Sequence, residues 1–452
     1  MSTNSIILKT FIENPMNKSV PVILLLAFPL YTTCAFAEAA KVKPSPATPK
    51  SDTPALPQIK ADGMSLSEVM KIVRADNPLL KAGHESIAAA RGRRQQSGLR
   101  SNPELEFESE EITTDRFGDF GKSVNTFALK QEILTAGKRK AAMAAAGKEV
   151  EISTYEYALL EREIFTESKT AFYALLAAQE KVTVSNRLVE IAQKNAQASQ
   201  RHVDAGDVSL VDAVRAKVAL SKARVELQAA ERDKANAAKE LLRMMGAPEA
   251  TLNSVGQAGE LFQTSPVSDG EDALAAILEK HPQLQRIVHT KKLAELEQKV
   301  AEKDRWPDLE VGFGVETAPE EGGGREQAFI LELGIPLPIF NRNQGAIAEA
   351  KANRRKAEFE LQAGRQELTT RFRQALQSYV TARQQVERYA KEIVPGARKA
   401  FDLVNRAYRA GDISQLELLD AQQTLAESEL EYVEALGELK EAQAELEGLV
   451  GK

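Results

Sequence analysis

The 452-residue sequence carries a formal net charge of −6, with 27% charged and only 6% aromatic residues. This composition favours long packed helices over a large globular core. Because no basic patch is interleaved with aromatic residues, the sequence argues against nucleic acid as a partner.

The N-terminus has the pattern of an export signal. A short charged stretch begins at Met16, and the apolar run 20–34 leads to small residues that suit a cleavage site. This pattern predicts a signal peptide over residues 1–37, with Met16 as an alternative start to Met1. The sole cysteine, Cys34, lies inside the signal, and a lipid anchor on it is the alternative interpretation. With the signal removed, no thiol remains for a disulfide or a metal site.

The mature chain opens with a leader and two helices. Residues 38–62 are rich in Pro, Ala, Lys and Ser, which predicts a disordered leader. Ser65 and Glu68 have the spacing of a capping box, so a helix begins there. It ends near Asn77-Pro78, and a second helix continues to Arg100.

Two predicted hairpins, at about 103–135 and about 307–337, change from helical to alternating periodicity. Apolar residues occupy one face of each strand, and the other face is polar. The charged residues predicted on the polar faces are Glu104, Glu106, Glu108, Glu110, Lys130, Glu132, Glu310, Glu316 and Glu332. Strands of about ten residues with apolar-out, polar-in alternation are typical of transmembrane barrels.

Each hairpin leads into a very long helical stretch, over residues 137–205 and 343–410. At 1.5 Å per residue each would reach roughly 100 Å, although Pro395 can kink the second. Each stretch ends in the same Ala-Gly-Asp turn. The residues of the two tips are Ala205, Gly206, Asp207 and Ser209 in the first, and Ala410, Gly411, Asp412 and Ser414 in the second.

A returning helix follows each tip. The glycines of the turns suit a left-handed helix-ending position. Ser209 with Asp212, and Ser414 with Glu417, predict capping boxes at the start of the returning helices. Both helices carry an a/d spacing that predicts coiled-coil seams. The seam residues are Val211, Val214, Val218, Ser221 and Val225, and Leu416, Leu419, Gln423, Ala426 and Leu430.

These elements occur twice. Asn77-Pro78 recurs as His281-Pro282, and residues 205–220 recur almost unchanged as 410–425. The chain is therefore a duplicated module, with a first repeat over 63–255 and a second over 256–452. Each long helical hairpin belongs to one repeat, at about 137–246 and about 343–448.

The strand number limits how such a chain could cross a membrane. Four strands cannot close a barrel, and eight leave room only for side chains. Lipid does not tolerate open strand edges, so two, three or four chains would have to combine. The predicted fold class is an α+β membrane protein, with four transmembrane strands per chain and very long coiled-coil helices. An exported duct fits these features better than an enzyme.

Two segments carry a resemblance to a known family, Asn102–Glu106 and Gly334–Gly345. With the duplicated plan, they resemble the TolC-like outer-membrane efflux proteins, and within these the outer-membrane component of cobalt–zinc–cadmium efflux systems. The resemblance implies a homotrimer with a shared twelve-stranded barrel and a twelve-helix periplasmic tunnel in the outer membrane of a Gram-negative bacterium. It also implies two partners, a periplasmic adaptor that contacts the two tips and an inner-membrane RND-type pump.

The resemblance also implies a periplasmic gate formed by Asp212, Glu417, Asp420 and Tyr408. Spacing alone places Glu417 and Asp420 on one helical face, where three copies could form a ring that attracts cations. The alternative is helix capping by Glu417 and a solvated face at Asp420. Ile413 stands where some relatives carry a latching arginine, so the latch network can differ here.

The glutamates of the polar strand faces suggest an acidic lumen suited to cations, although any water-filled pore needs polar residues. No cofactor, metal site or catalytic group is predicted, because the four histidines lack metal-ligand spacing. Two alternatives remain at this stage. One is a multidrug or protein-export duct of the same fold, and the other is a periplasmic adaptor or coiled-coil scaffold.

Overall fold

The computed structural model of the chain describes residues 62–110, 123–205, 209–256, 261–262, 274, 278–319 and 324–451. The predicted signal peptide and all but the last residue of the predicted leader lie outside these residues. Gly206 and Asp207, from the first of the two tips, also lie outside them.

The two halves of the chain share one order of elements. The first half contains α1 (Leu66–Asp76), α2 (Pro78–Ser97), β1 (Glu104–Glu110), β2 (Val124–Ile133), α3 (Lys138–Asp204) and α4 (Leu210–Met244). The second contains α5 (Pro282–Lys303), β3 (Leu309–Pro319), β4 (Arg325–Gly334), α6 (Gln344–Arg388), α7 (Val394–Ala410) and α8 (Gln415–Val450). A π-helical turn, Tyr389–Ile393, joins α6 to α7.

Polar side chains cap the helices that precede the strands. Ser65 and Glu68 form the predicted capping box, in which the Ser65 amide donates to Glu68 Oε2 at 2.9 Å. Asn77 caps α2, since its Oδ1 accepts from the Leu79 amide at 2.9 Å. His281 caps α5 in the same way, with Nδ1 accepting from the Gln283 amide at 3.2 Å. The repeated Asn-Pro and His-Pro dipeptides are therefore two versions of one helix start.

His281 makes this helix start sensitive to acid. Burial, together with the nearby Arg162 and Arg371, lowers the pKa of His281 to about 4. In the unfolded chain His281 binds its proton near pH 6.5. Its contribution to the free energy of unfolding is therefore fully present above that pH and is lost as the pH drops towards 4. The loss is at most about 3 kcal/mol per chain, the limit that such a shift allows.

We expect His281→Asn to remove this acid sensitivity, because asparagine is the cap in the first half and does not titrate. The difference in melting temperature between pH 7 and pH 4.5, followed by helical circular dichroism, should be smaller than in the unmodified protein. His84→Asn replaces an exposed histidine and is the control that should keep the original pH dependence. An equal pH dependence in His281→Asn would contradict the assignment.

The strands form one antiparallel sheet in the order β1-β2-β3-β4. Leu129 pairs with Leu105 on one side and Phe313 on the other, so apolar residues share one face. This face is open to the surroundings, with Phe329 81% and Leu331 69% exposed. The register agrees with the alternation of the sequence, because facing residues in a sheet point to the same side.

The helix after each hairpin begins at a residue in the left-handed conformation. Gly137 (φ 73°) precedes α3, and Asn343 (φ 59°) precedes α6. Glycine and asparagine adopt this conformation most readily, which turns the chain from strand into helix. α3 then runs unbroken for 67 residues. Its counterpart is interrupted at Tyr389–Ile393, just before Pro395. Proline cannot donate a backbone hydrogen bond, and the wider turn absorbs the mismatch.

A single large cluster joins the two halves near the middle of the long helices. Its fully buried members come from five helices and include Val69, Phe172, Leu241, Leu368 and Leu439. Each such side chain contributes about 1.5–3 kcal/mol of burial. Residues from both repeats are interleaved here, so the repeats pack as one body.

The helices near the sheet follow the order of the strands. α2 packs on α3, α3 on α5 and α5 on α6. These four helices are continuous in chain with β1, β2, β3 and β4 respectively. None of the helices in the described residues is long and apolar enough to cross a lipid bilayer.

Candidate functional site

The polar face of the sheet is organised around one lysine. Lys130, Gly312 and Glu332 lie in one row across β2, β3 and β4. Since Gly312 has no side chain, Lys130 reaches across β3 and pairs with Glu332 at 3.1 Å. It also pairs with Glu106 on β1. One lysine thus links three strands on this face.

Carboxylates outnumber this lysine on the same face. Glu132 and Glu310 lie directly opposite each other, and Glu132 accepts a hydrogen bond from Ser101 at 2.7 Å. The register places these carboxylates on the polar face: Glu104, Glu106, Glu108, Glu110, Glu132, Glu310, Glu316, Glu326 and Glu332. Glu326 was not among the residues predicted from the sequence. The face is strongly anionic and attracts cations.

The tip between α7 and α8 is a tightly hydrogen-bonded turn. Gly411 adopts φ 81°, and its amide donates to Tyr408 O at 3.1 Å. The Asp412 amide donates to Ala407 O at 3.0 Å. This pair of bonds is a Schellman motif, which requires a left-handed residue where Gly411 stands. The conformation predicted from the sequence is confirmed at Gly411.

The predicted capping boxes at the tips differ from the structure. Ser414 Oγ accepts from the Glu417 amide at 3.4 Å, without the reciprocal bond from the Glu417 side chain. At the other tip, Ser209 makes no side-chain cap and instead donates to Asp212 Oδ2 at 3.2 Å. The carboxylates of Asp212 and Glu417 therefore remain directed to solvent or to neighbouring side chains. Ala205 ends α3, where its amide donates to Arg201 O at 3.0 Å.

The acidic residues predicted to form a gate lie close to the tips. Glu417 and Asp420 are exposed on the first two turns of α8. Asp212 lies in the first turn of α4, with Arg215 Nη1 at 3.9 Å from its Oδ1. Glu417 and Asp420 have no ion-pair partner within the described residues.

Tyr408 occupies a different setting, between the two helical hairpins. It is 9% exposed, and its hydroxyl lies 3.5 Å from Ser199 Oγ on α3. Ser199 in turn donates to Gln415 Oε1 at 2.8 Å. Tyr408 therefore helps to join the tips of the two hairpins within one chain.

A buried carboxylate continues this contact along the helices. Glu429 on α8 is 5% exposed and pairs with Arg187 of α3 at 3.3 Å. Its other oxygen pairs with Arg398 of α7. The two arginines compensate the cost of burying the single negative charge of Glu429. Sequence reasoning missed this cluster, because its members are separated by up to 242 residues.

The family is shown by comparison with known proteins. The family model described as outer membrane efflux protein matches residues 69–247 and 273–452, which is most of the chain. The chain belongs to the outer membrane efflux protein family. As a member, it is an outer-membrane channel protein with a large periplasmic part, and it is not an enzyme. The alternative interpretation as a periplasmic adaptor was wrong.

Individual members of the efflux family are similar to this chain to different degrees. The cobalt-zinc-cadmium resistance protein CzcC of Cupriavidus metallidurans is 29% identical, over 94% of this chain and 99% of that protein. The alkaline protease secretion protein AprF of Pseudomonas aeruginosa is 21% identical, over 68% of this chain and 65% of that protein. A crystal structure of CusC superimposes with a TM-score of 0.72 at 13% identity, over 90% of this chain and 99% of that one. The fold is TolC-like.

The predicted seam of α4 is exposed in the part of the efflux protein that the structure describes. Val214 and Val218 are each 51% exposed, and Val225 is 65% exposed. Ala213 and Ala216 are instead the buried residues at this end of α4. Small residues let α4 lie close to α3, and the valine stripe faces outwards.

The efflux protein has no assembled metal centre in the part that the structure describes. No group of three His, Cys, Asp or Glu side chains comes close enough there to hold an ion. His281 is a helix cap, while His289 Nδ1 lies 2.7 Å from Glu151 Oε2.

Proposed function

We propose that this protein is the outer-membrane exit duct of a tripartite system that exports divalent heavy-metal cations. The observation that carries the proposal is the similarity to CzcC along nearly the whole of both chains. The anionic polar face of the sheet supports it, because fixed carboxylates concentrate cations at a pore wall. The duct is passive, and the choice of ion belongs to the pump that feeds it.

We infer a homotrimer from the edges of the sheet. In the part of the chain that the structure describes, β1 and β4 have no neighbour on their outer sides. Such edges are not stable in lipid, so further copies must pair with them. Three copies would give twelve strands, enough to surround a water-filled lumen with the polar faces inside. The exposed valine stripe of α4 would then find its partner on a neighbouring copy.

The same proposal assigns the tips to a periplasmic adaptor. Gly411 at one tip, and Ala205 and Ser209 at the other, are exposed at the ends of the helical hairpins. Asp212, Glu417 and Asp420 lie beside them and would surround the periplasmic entrance. An adaptor bound to both tips would connect the duct to an inner-membrane pump of the RND type.

A deletion strain tests the proposed substrate. Its growth should be inhibited by zinc, cobalt or cadmium salts at concentrations that the parent tolerates, and the cloned gene should restore growth. As a control, the deletion strain and its parent should be equally sensitive to a panel of drugs and detergents. Sensitivity to drugs alone would contradict the metal assignment.

Protein export is the second candidate, favoured by the similarity to AprF. Loss of a secreted protein from the medium of the deletion strain, with unchanged metal tolerance, would support it. The lower identity and shorter coverage of AprF place this candidate behind metal efflux.

A further inference from the structure

A positively charged groove lies at the end of the sheet from which the long helices depart. It has a volume of about 680 Å³ and runs between the end of α5 and the first two turns of α6. Both helices belong to one chain and pack against each other. All of the residues that line the groove here therefore belong to one copy.

Three cationic side chains line the groove, Arg305, Arg342 and Lys351. None of its lining residues is acidic, although the chain as a whole has a net charge of −6. Arg342 Nε donates to Pro338 O at 3.3 Å, which leaves its two terminal nitrogens available. No ion pair neutralises these three residues within the described part of the chain. Such an arrangement is suited to an anion.

The start of α6 adds to the attraction. Asn343, which precedes the helix, makes no side-chain cap, and the first turn contains no acidic residue. The uncapped N-terminus of a helix of 45 residues presents free amides and the positive end of the helix dipole. Backbone and side-chain donors therefore both occur at this end of α6.

Apolar side chains lie beside the groove, and an adjoining cavity that shares Arg305 and Trp306 with it contains four carboxylates and Lys138. Trp306 lines it and is covered by Arg305, whose guanidinium carbon lies 5.1 Å from the ring centre. Leu337 and Phe340, in the segment after β4, are 75% and 91% exposed. This is the level at which the apolar face of the strands ends. Aromatic residues and arginines at such a level are typical of the boundary between lipid tails and headgroups.

We propose that this groove binds the phosphate group of an anionic phospholipid in the inner leaflet of the outer membrane. The guanidinium groups and Lys351 would hold the phosphate oxygens, and the exposed Leu337 and Phe340 would contact the acyl chains. The lipid would fix the height of the sheet in the membrane. This inference goes beyond export, since it concerns the membrane and is independent of the cargo.

The single tryptophan of the chain reports directly on the site. Trp306 is that residue, so its fluorescence is specific for the groove. The full-length protein would be placed in phosphatidylcholine nanodiscs that contain brominated phosphatidylglycerol or brominated phosphatidylcholine as the quencher. We expect brominated phosphatidylglycerol to quench at about tenfold lower mole fraction. Removal of one charge should weaken this preference about fivefold, to about twofold, and removal of all three should abolish it.

The test variants are Lys351→Gln alone and the triple variant Arg305→Gln, Arg342→Gln, Lys351→Gln. The matched control is Arg355→Gln, Arg365→Gln, Arg373→Gln, three exposed arginines further along α6. Loss of the preference in the test variants, with the control unchanged, supports the proposal. If the triple variant fails to fold, the test rests on the expected fivefold loss of lipid preference in Lys351→Gln alone.

Three results would overturn the proposal. Equal quenching by the two brominated lipids would mean ordinary lipid contact without recognition. Absence of quenching by either would mean that something other than lipid covers Trp306. Release of the brominated lipid by millimolar inorganic phosphate would assign the groove to a soluble anion instead. None of these outcomes depends on metal transport, so failure here leaves the proposed function intact.

Discussion

Replacing Glu417 and Asp420 together by alanine should weaken the block of the channel by divalent cations about tenfold, because a ring of fixed charges concentrates counter-ions at least to that degree. Both carboxylates are exposed near the tip and lack ion-pair partners in the described residues. In the proposed trimer they contribute six charges at the periplasmic entrance. The measurement is the single-channel current of the purified protein in a planar bilayer, titrated with zinc or cadmium from the periplasmic side.

A matched pair of carboxylates on the same helix provides the control. Glu441 and Glu445 are exposed on α8, more than twenty residues closer to the middle of the molecule. Their replacement by alanine should leave the block within twofold of the unmodified channel. Equal effects of the two double variants would mean that total charge matters and that the entrance is not special.

Glu417 also belongs to the first turn of α8, where a carboxylate stabilises the helix dipole. Glu417→Gln separates the two roles, since it removes the charge and keeps the hydrogen-bonding shape. If the gate interpretation is correct, Glu417→Gln shows weaker block with an unchanged melting temperature. A lower melting temperature with unchanged block would assign Glu417 to helix capping.

The faces of the strands were predictable because the side-chain period of a strand is two. Once the alternation at Glu104–Glu110 is recognised, every second residue of the strand must point to the same side of the sheet. The internal repeat predicted the remaining elements, because each feature of the first half predicted its counterpart in the second. Glu326 was missed because it lies beyond the segment where the alternation is regular.

Contacts between distant helices were not predictable from one sequence. The cluster of Glu429 with Arg187 and Arg398 joins three helices, and no local period connects its members. The seam of α4 shows another limit of prediction from a single sequence. Its valines share one exposed face, and periodicity predicts such a face without naming the partner that covers it. The buried position of Tyr408 likewise depends on how α7 is rotated against α3.

The turn at Gly411 is the second place where a single change should have a large effect. A β-branched residue is strained by more than about 1–2 kcal/mol in the left-handed conformation. Space is not the limit, because no atom lies within 4 Å of an added Cβ. Gly411→Val should therefore remodel the tip by breaking the bonds from Gly411 and Asp412 to the end of α7. The large cluster around Phe172 and Leu439 is distant and should be unaffected.

The expected result for Gly411→Val is loss of metal tolerance in the complemented deletion strain, with normal amounts of the channel in the outer membrane. Recovery of a co-purifying adaptor from cross-linked cells should fall about tenfold or more, since 1.4 kcal/mol of lost contact is already tenfold. Gly396→Val is the control on the same helix, also with open space around the added Cβ but with ordinary helical geometry. The two substitutions add the same side chain but differ in backbone conformation and in distance from the tip. Normal adaptor recovery with Gly411→Val would show that the adaptor does not read this turn.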